Sequence, residues 1–195
     1  MSATPAADNV GKQLTIYSGL PLQGPSAAIS KQIVGGEKLA LADAGGRIGP
    51  LTVNYVSLDD SNPTNGQWDP GVTAANAKAA AQDPTTIAYL GDYNSGATAV
   101  SLPLINAAGI LQVSPSSPYV GLTSSLDAGQ DEPERFYPTG KRTFGRVAQG
   151  DPVQAAAQVA LLRAEGVHRV YMLADQYPFD GPLAQIVAGA AHQAG

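Results

Sequence analysis

The residues best placed for chemistry lie between Thr86 and Pro118, in TIAYLGDYNSGATAVSLPLINAAGILQVSPSSP. Gly91-Asp92-Tyr93-Asn94-Ser95-Gly96 is a polar, glycine-bounded turn. It follows a short apolar run, Thr86 to Leu90, and precedes Ala97 to Ala108, which has helical spacing. A second apolar run, Ile110 to Val113, comes next. The order is strand, turn, helix, strand, turn. In an open parallel sheet, ligands sit beyond the carboxyl ends of the strands, where loops lead into helices. A helix start there offers free backbone N–H groups and a partial positive charge, which suit a carboxylate or phosphate. Ser95, at or near the N-cap, adds a hydroxyl donor. The chemistry on offer is anion binding by half of a cleft.

Catalytic chemistry finds little support. His168 falls at a predicted strand start and His192 near a helix end, and neither is at a strand-to-helix turn. Asn94-Ser95-Gly96 lacks the preceding glycine of a nucleophile elbow, because Tyr93 stands there. No Gly-x-Gly-x-x-Gly follows a strand, and no phosphate-loop lysine is present. No His, Asp and Glu cluster has metal-ligand spacing. Asp59 and Asp60 end a strand and read as turn or cap residues, not as a catalytic pair. The expectation is no catalytic residue, no metal site and no cofactor. The remote enzymatic alternative is an α/β hydrolase-like fragment.

The elements that position the turn alternate. Leu14 to Ser18 and Leu51 to Leu58 read as strands. A helix opening at Gly24 or Pro25 carries Ile29, Ile33, Leu39 and Leu41 and closes at Gly45-Gly46. Another runs from about Asp69 to Gln82, with an Asp-Pro start that supplies a cap and then a proline suited to the first helical position. Ser114 to Thr143 is a long loop rich in Ser, Pro, Gly and Asp. It is the best sequence candidate for a passage between two lobes. Asp151-Pro152 opens a helix to Glu165, Val167 to Ala174 reads as a strand, and Phe179 to Ala194 as a helix. Such alternation predicts a parallel sheet flanked by helices on both faces.

Composition agrees with a globular α/β chain. Its 195 residues are 44% hydrophobic and 14% charged, with 22 Gly and 15 Pro, too apolar for disorder. Net charge is −5, from 16 acids and 11 bases. No Lys/Arg cluster appears, so no nucleic-acid partner is expected. Cysteine is absent, which removes disulfides and thiolate chemistry. No segment approaches the ~20 apolar residues of a membrane span, so no direct membrane span is expected. Residues 1–13 read as a flexible leader without the basic start and apolar core of a signal peptide. Trp68, flanked by Gly66, Gln67, Asp69 and Pro70, reads as a packing residue in a loop that leads into a helix.

Leu14-Thr15-Ile16-Tyr17-Ser18-Gly19-Leu20-Pro21-Leu22-Gln23-Gly24-Pro25 resembles the opening of type I periplasmic binding proteins. More narrowly, it resembles the leucine/isoleucine/valine-binding branch that serves ABC importers. The resemblance continues through Val53 to Asp60, Gly91 to Gly96, Val113 to Ser117, Arg146 to Asp151, and Val170 to Asp175. It implies a bilobed protein that closes on a small solute: a leader over 1–13, an N-terminal ligand-binding lobe over 14–143, and the start of an incomplete second lobe over 144–195. It also implies that the Ser95 hydroxyl and backbone hold a ligand carboxylate. Ser116 and Ser117 would line the same wall, Leu22, Gln23, Tyr93 and Asn94 would come from adjoining loops, and Phe179 would be the aromatic residue of the second lobe, with Tyr177 and Asp180 nearby.

Two departures accompany the resemblance. Pro118 stands where amino-acid binders carry a threonine, and proline offers neither a hydroxyl nor an N–H. An apolar or aromatic acid, or a modified amino acid, is therefore expected over leucine itself. Family members also run to roughly twice this length, so a truncated chain is expected. The implied partners are a small-molecule ligand and the membrane permease of an ABC transporter. The implied location is the periplasm, or the cell surface as a lipoprotein. The alternative of a different class is the ligand-sensing ectodomain of a signalling receptor with the same fold. Each residue also has a plainer role: Ser95 as a helix cap, Ser116 and Ser117 as turn residues, and Phe179 as core.

Overall fold

The computed structural model describes residues 13–174 and 181–194. Six strands form one sheet in the order β2-β3-β1-β4-β5-β6: β1 (Gln13–Leu20), β2 (Arg47–Ile48), β3 (Leu51–Asp59), β4 (Thr86–Gly91), β5 (Leu111–Ser114) and β6 (Phe144–Arg146). β1 runs parallel to β3 in unbroken register from Gln13↔Thr52 to Leu20↔Asp59. On its other side it runs parallel to β4, with a register shift between Thr15 and Ile16. β4 with β5 and β5 with β6 are also parallel. Only the two-residue β2, paired to β3, is antiparallel. The expected parallel sheet is present, and β1 and β3 are longer than the apolar runs alone suggest.

Five helices follow local signals. α1 (Ala27–Asp43) is preceded by a 3-10 turn over Gly24–Ser26. α2 (Pro70–Gln82) is capped by Asp69, whose carboxylate accepts from the N–H groups of Gly71 at 2.8 Å and Val72 at 3.0 Å. Such a cap satisfies donors that have no partner inside the helix. α3 (Ser95–Ala107) begins two residues before the expected Ala97. α4 (Asp151–Ala164) takes Pro152 in its first turn, and α5 is Gly181–Ala194.

Parallel neighbours need crossovers, and these are right-handed. β1 crosses to β3 in one direction, whereas β3 to β4 and β4 to β5 cross in the other. α1 therefore covers one face and α2 with α3 the opposite face. On the α2–α3 face Ala77, Ala80, Tyr89, Ile105 and Ile110 form a closed apolar core with Tyr17 and Leu104 against it. The α1 face is more polar. Ser30 is the one buried residue of α1, and the Tyr55 hydroxyl donates to Glu37 across this layer.

Two expectations are corrected. Val167 to Ala174 reads as a strand, but among the described residues no strand pairs with it, and Val170, Tyr171 and Leu173 are exposed. A strand needs a neighbour to take its backbone groups. The long segment after Ser114 is not open loop. Tyr119, Val120, Leu122, Phe136 and Tyr137 pack on Leu102 of α3 as a small core of their own. Asn106 closes that segment: its Nδ2 donates to the Lys141 carbonyl and Thr143 Oγ1, both at 2.8 Å, while its Oδ1 accepts from Thr139. Phe144–Arg146 pairs in parallel with β5 and is the last strand of this sheet. Leader residues 1–12, together with Tyr177, Phe179 and Asp180, lie outside the described residues.

The joint between β1 and β4 is tight. A Cβ on Gly19 would lie 2.0 Å from the Tyr89 hydroxyl oxygen, and one on Gly91 would lie 2.5 Å from the Gly19 carbonyl oxygen. By contrast, a Cβ on Gly35 in α1 would meet nothing within 4 Å. Gly19→Ala is expected to lower stability by roughly 1–3 kcal/mol through overpacking. Gly35→Ala is expected to raise it by about 0.4–1 kcal/mol, because the unfolded chain loses freedom. Urea denaturation midpoints check both, and a neutral Gly19→Ala would contradict the packing described.

Candidate functional site

All five parallel strands end at one edge of the sheet, and their loops meet there. β1 and β4 are adjacent, yet the helices that follow them leave on opposite faces. This is where the strand order reverses and where a crevice opens in such sheets. Its walls are the loop after β1, which carries Leu22 and Gln23, and the turn after β4, which carries Tyr93, Asn94 and Ser95.

Asp59 organises the first wall. Its carboxylate accepts from the Leu22 N–H and the Ser61 N–H, each at 2.9 Å, and from Gln23 Nε2 at 2.7 Å. Partial burial works to raise its pKa, but the hydrogen bonds from Gln23, Ser61 and Leu22 outweigh that and hold the carboxyl below its ordinary value. The Gln23 N–H also donates to Ser61 Oγ at 3.1 Å, which ties this wall to the loop after β3. The two loops touch at Gly24 and Gly66, both with positive φ (63° and 69°). A Cβ on Gly24 would fall 2.6 Å from the Gly66 carbonyl oxygen. Trp68, half-buried, lies in that same loop and bridges back to Ser61.

The second wall is the start of α3. Asn94, not Ser95, is the N-cap residue, and it makes no side-chain cap hydrogen bond. Ser95 is the first helical residue, and its Oγ accepts from the Tyr119 N–H at 3.2 Å. A hydroxyl that accepts in this way keeps its own proton to donate. Ser116 is half-buried, and its N–H donates to Ser114 Oγ at 3.1 Å. Ser117 turns inward. It is fully buried with φ 35°, its N–H donates to the Tyr93 carbonyl at 3.2 Å, and its hydroxyl pairs with Thr98 Oγ1 at 2.7 Å and donates to the Asp92 carbonyl at 3.0 Å. The structure thus brings Leu22, Gln23, Tyr93, Asn94, Ser95 and Ser116 to one edge. It gives the Ser117 side chain a structural task and places Phe179 outside the described residues.

Beneath the crevice lies a polar floor that sequence reasoning missed. Asp92 is fully buried. Its carboxylate accepts from the Tyr89 hydroxyl at 3.1 Å and from the Ser101 hydroxyl, which in turn accepts from Gln112 Nε2 at 2.7 Å. Asp60 is also fully buried, and neither carboxyl oxygen has a hydrogen-bond partner among the described residues. Burial, the Asp92 charge and the Asp59 charge push the Asp60 carboxyl up to about 8. Burial raises Asp92 to about 7 against the opposing hydrogen bonds of Ser101 and Tyr89. The only signal in sequence was an acid directly after each strand, which turns and caps share.

Among the described residues, no group of three or more His, Cys, Asp and Glu is placed to hold a metal, and no helix is long and apolar enough to cross a membrane. What this edge offers is an uncapped helix start, the hydroxyls of Tyr93, Ser95 and Ser116, and the side-chain amides of Gln23 and Asn94.

Comparison with known proteins puts this geometry in context. The family model of periplasmic binding proteins matches residues 19–195. No curated protein matches the chain. Among solved structures, an ABC transporter substrate-binding protein from Desulfitobacterium hafniense in complex with Leu shares 19% identity at a TM-score of 0.72, covering 93% of this chain and 48% of that one. A solute-binding protein of an ABC transporter from Rhodopseudomonas palustris BisB5, in complex with 3,4-dihydroxybenzoic acid, shares 16% identity at 0.76, covering 95% and 45%. A periplasmic binding protein from Burkholderia mallei shares 17% identity at 0.78, covering 94% and 44%. The chain spans a little under half the length of each.

The floor gives stability a defined pH dependence. Both buried carboxyls bind protons more tightly folded than unfolded, where an aspartate titrates near ~3.9. Folding is therefore unpenalised at low pH and loses stability as pH rises from about 4 towards 8, with a limiting slope of about 1.4 kcal/mol per pH unit for each retained proton. Asp60→Asn, which mimics the protonated form, is expected to flatten this slope and to raise the melting temperature at pH 8 more than at pH 5. Calorimetric melting across that range checks it, and parallel profiles for the two proteins would count against the assignment.

Proposed function

Because the chain belongs to the periplasmic binding protein family, we propose that it supplies the anion-holding half of an extracytoplasmic solute receptor, which captures a small carboxylate-bearing solute and hands it to the membrane permease of an ABC importer. One observation carries the reading: the start of α3 stands at the strand-order reversal without a side-chain cap, and the Ser95 hydroxyl there is held with its proton free to donate. Unpaired N–H groups and the helix dipole favour an anion at that point. Residues 14–143 form the ligand-binding half together with β6, and the second lobe starts in the crossover that follows. Leu22, Gln23, Tyr93, Asn94, Ser116 and the Ser117 backbone complete the near wall, and Phe179, outside the described residues, is the sequence-based candidate for the second lobe's aromatic contact. The protein works in the periplasm or at the cell surface, without catalysis and without a cofactor.

The ligand is an apolar or aromatic acid, or a modified amino acid, in preference to leucine. Pro118 offers no N–H, and the neighbouring carbonyls already have partners: those of Ser117 and Tyr119 accept from Arg146, and that of Pro118 accepts from the Asp151 N–H. This wall is therefore poorly furnished for an ammonium group. Similar folds are solved with 3,4-dihydroxybenzoic acid and with Leu, so the preference rests on the Pro118 wall alone.

Two measurements test the proposal on the full chain. Ser95→Ala removes a hydrogen bond to a charged group, worth roughly 1.5–3 kcal/mol, and is expected to weaken affinity by about one to two orders of magnitude in titration calorimetry. Unchanged affinity would remove Ser95 from the site. In a thermal-shift panel of 4-hydroxybenzoate, benzoate, leucine, isoleucine and valine, a ligand at about 100 times its Kd adds ~2.7 kcal/mol. The aromatic acids are expected to shift melting most, and a larger shift with leucine would reverse the ligand assignment.

A further inference from the structure

The segment that leaves the sheet after β6 grips the wall that touches Ser95. The Val147 N–H donates to the Ser114 carbonyl at 3.1 Å, and the Asp151 N–H, at the start of α4, donates to the Pro118 carbonyl at 3.0 Å. Arg146 Nη1 donates to the carbonyls of Ser117 and Tyr119, both at 2.8 Å, and Nη2 reaches Thr123 Oγ1. Four carbonyls between Ser114 and Tyr119 are thus held from one short stretch. The Pro118–Tyr119 peptide joins the two sides: its carbonyl faces the Asp151 N–H, and its N–H donates to Ser95 Oγ. Pro118 has a fixed φ, which removes half of that residue's backbone freedom. The guanidinium is half-buried. Burial lowers its pKa, and the Asp151 and Tyr137 charges work in the opposite direction.

We infer that Arg146 is a positioning residue that couples the start of α4 to the Ser95 hydroxyl through the rigid Ser117–Tyr119 wall. This rests on the receptor reading for its functional meaning. A forked guanidinium can hold two carbonyls and a hydroxyl in one fixed geometry, which an ammonium group cannot reproduce. When α4 moves against the sheet, the Pro118–Tyr119 peptide moves with it and changes the orientation of the hydroxyl proton offered to an anion. Pro118 is then the stiffener of a linkage as well as a missing donor.

The experiment has one arm without ligand and one with it. Amide hydrogen exchange is read on wild type, Arg146→Lys and Thr123→Val, the last removing one of the three contacts if the first fails to fold. Tyr119 and Asp151 amides are expected to exchange about tenfold faster in Arg146→Lys and less so in Thr123→Val, with β1 and β3 amides unchanged. Unchanged exchange at Tyr119 in a folded variant overturns the coupling. In the second arm, 4-hydroxybenzoate and leucine are titrated into wild type, Arg146→Lys, Ser95→Ala and the double variant. Because the two residues act through one path, the double variant is expected to bind no more weakly than Ser95→Ala, and additive losses overturn the proposal. If wild type binds neither probe, the receptor reading fails for those ligands, and the exchange arm alone decides the role of Arg146.

Discussion

Two adjacent parallel strands whose helices depart on opposite faces leave a gap that their own loops cannot close. β1 and β4 are that pair, and the rest of the molecule is arranged around the consequence. Parallel register from Gln13 to Leu20 brings Asp59 level with Leu20, so the loop after β3 can brace the loop after β1. On the other side of β1, pairing with β4 sets Gly19 level with Gly91, where a Cβ on Gly91 would meet the Gly19 carbonyl and one on Gly19 would meet the Tyr89 hydroxyl.

The polar floor follows from that closeness. With no side chains at Gly19 and Gly91, the space below is filled by Tyr89, Asp92, Ser101 and Gln112, which are linked by hydrogen bonds, although Gln112 Oε1 has no partner among the described residues. A carboxyl in such a place is hard to ionise, because burial disfavours the charged form more than its hydrogen bonds favour it. Carboxyls pushed up to about 7 at Asp92 and about 8 at Asp60 carry less negative charge near neutral pH than ordinary aspartates, and so cancel less of the positive end of α3.

Much of this was legible in sequence. Apolar runs separated by Asp-Pro and Gly-rich punctuation reported the alternation, and the Gly91 to Gly96 turn reported the junction between β4 and α3, since both signals are local. What was not legible depends on contacts between distant residues. Tyr119, Phe136 and Tyr137 have no periodicity, yet they meet on Leu102. Phe144-Gly145-Arg146 is too short to carry a strand pattern, and it becomes a strand only because β5 presents an edge. Aspartate at a strand end looks the same whether it braces a loop, as Asp59 does, or lies buried without a hydrogen-bond partner among the described residues, as Asp60 does. Val167 to Ala174 shows the converse: an apolar run signals a strand, but the strand exists only when a neighbour pairs with it.

The loop between β3 and α2 carries Trp68, the only tryptophan in the sequence. That loop is tied through Ser61 and Gly66 to the wall bearing Gln23. Light absorbed at the red edge, where tyrosine is transparent, is therefore emitted from a single half-buried indole beside the crevice. The protein carries a built-in optical probe whose colour and intensity report the polarity of that one loop, undiluted by fluorophores in the core.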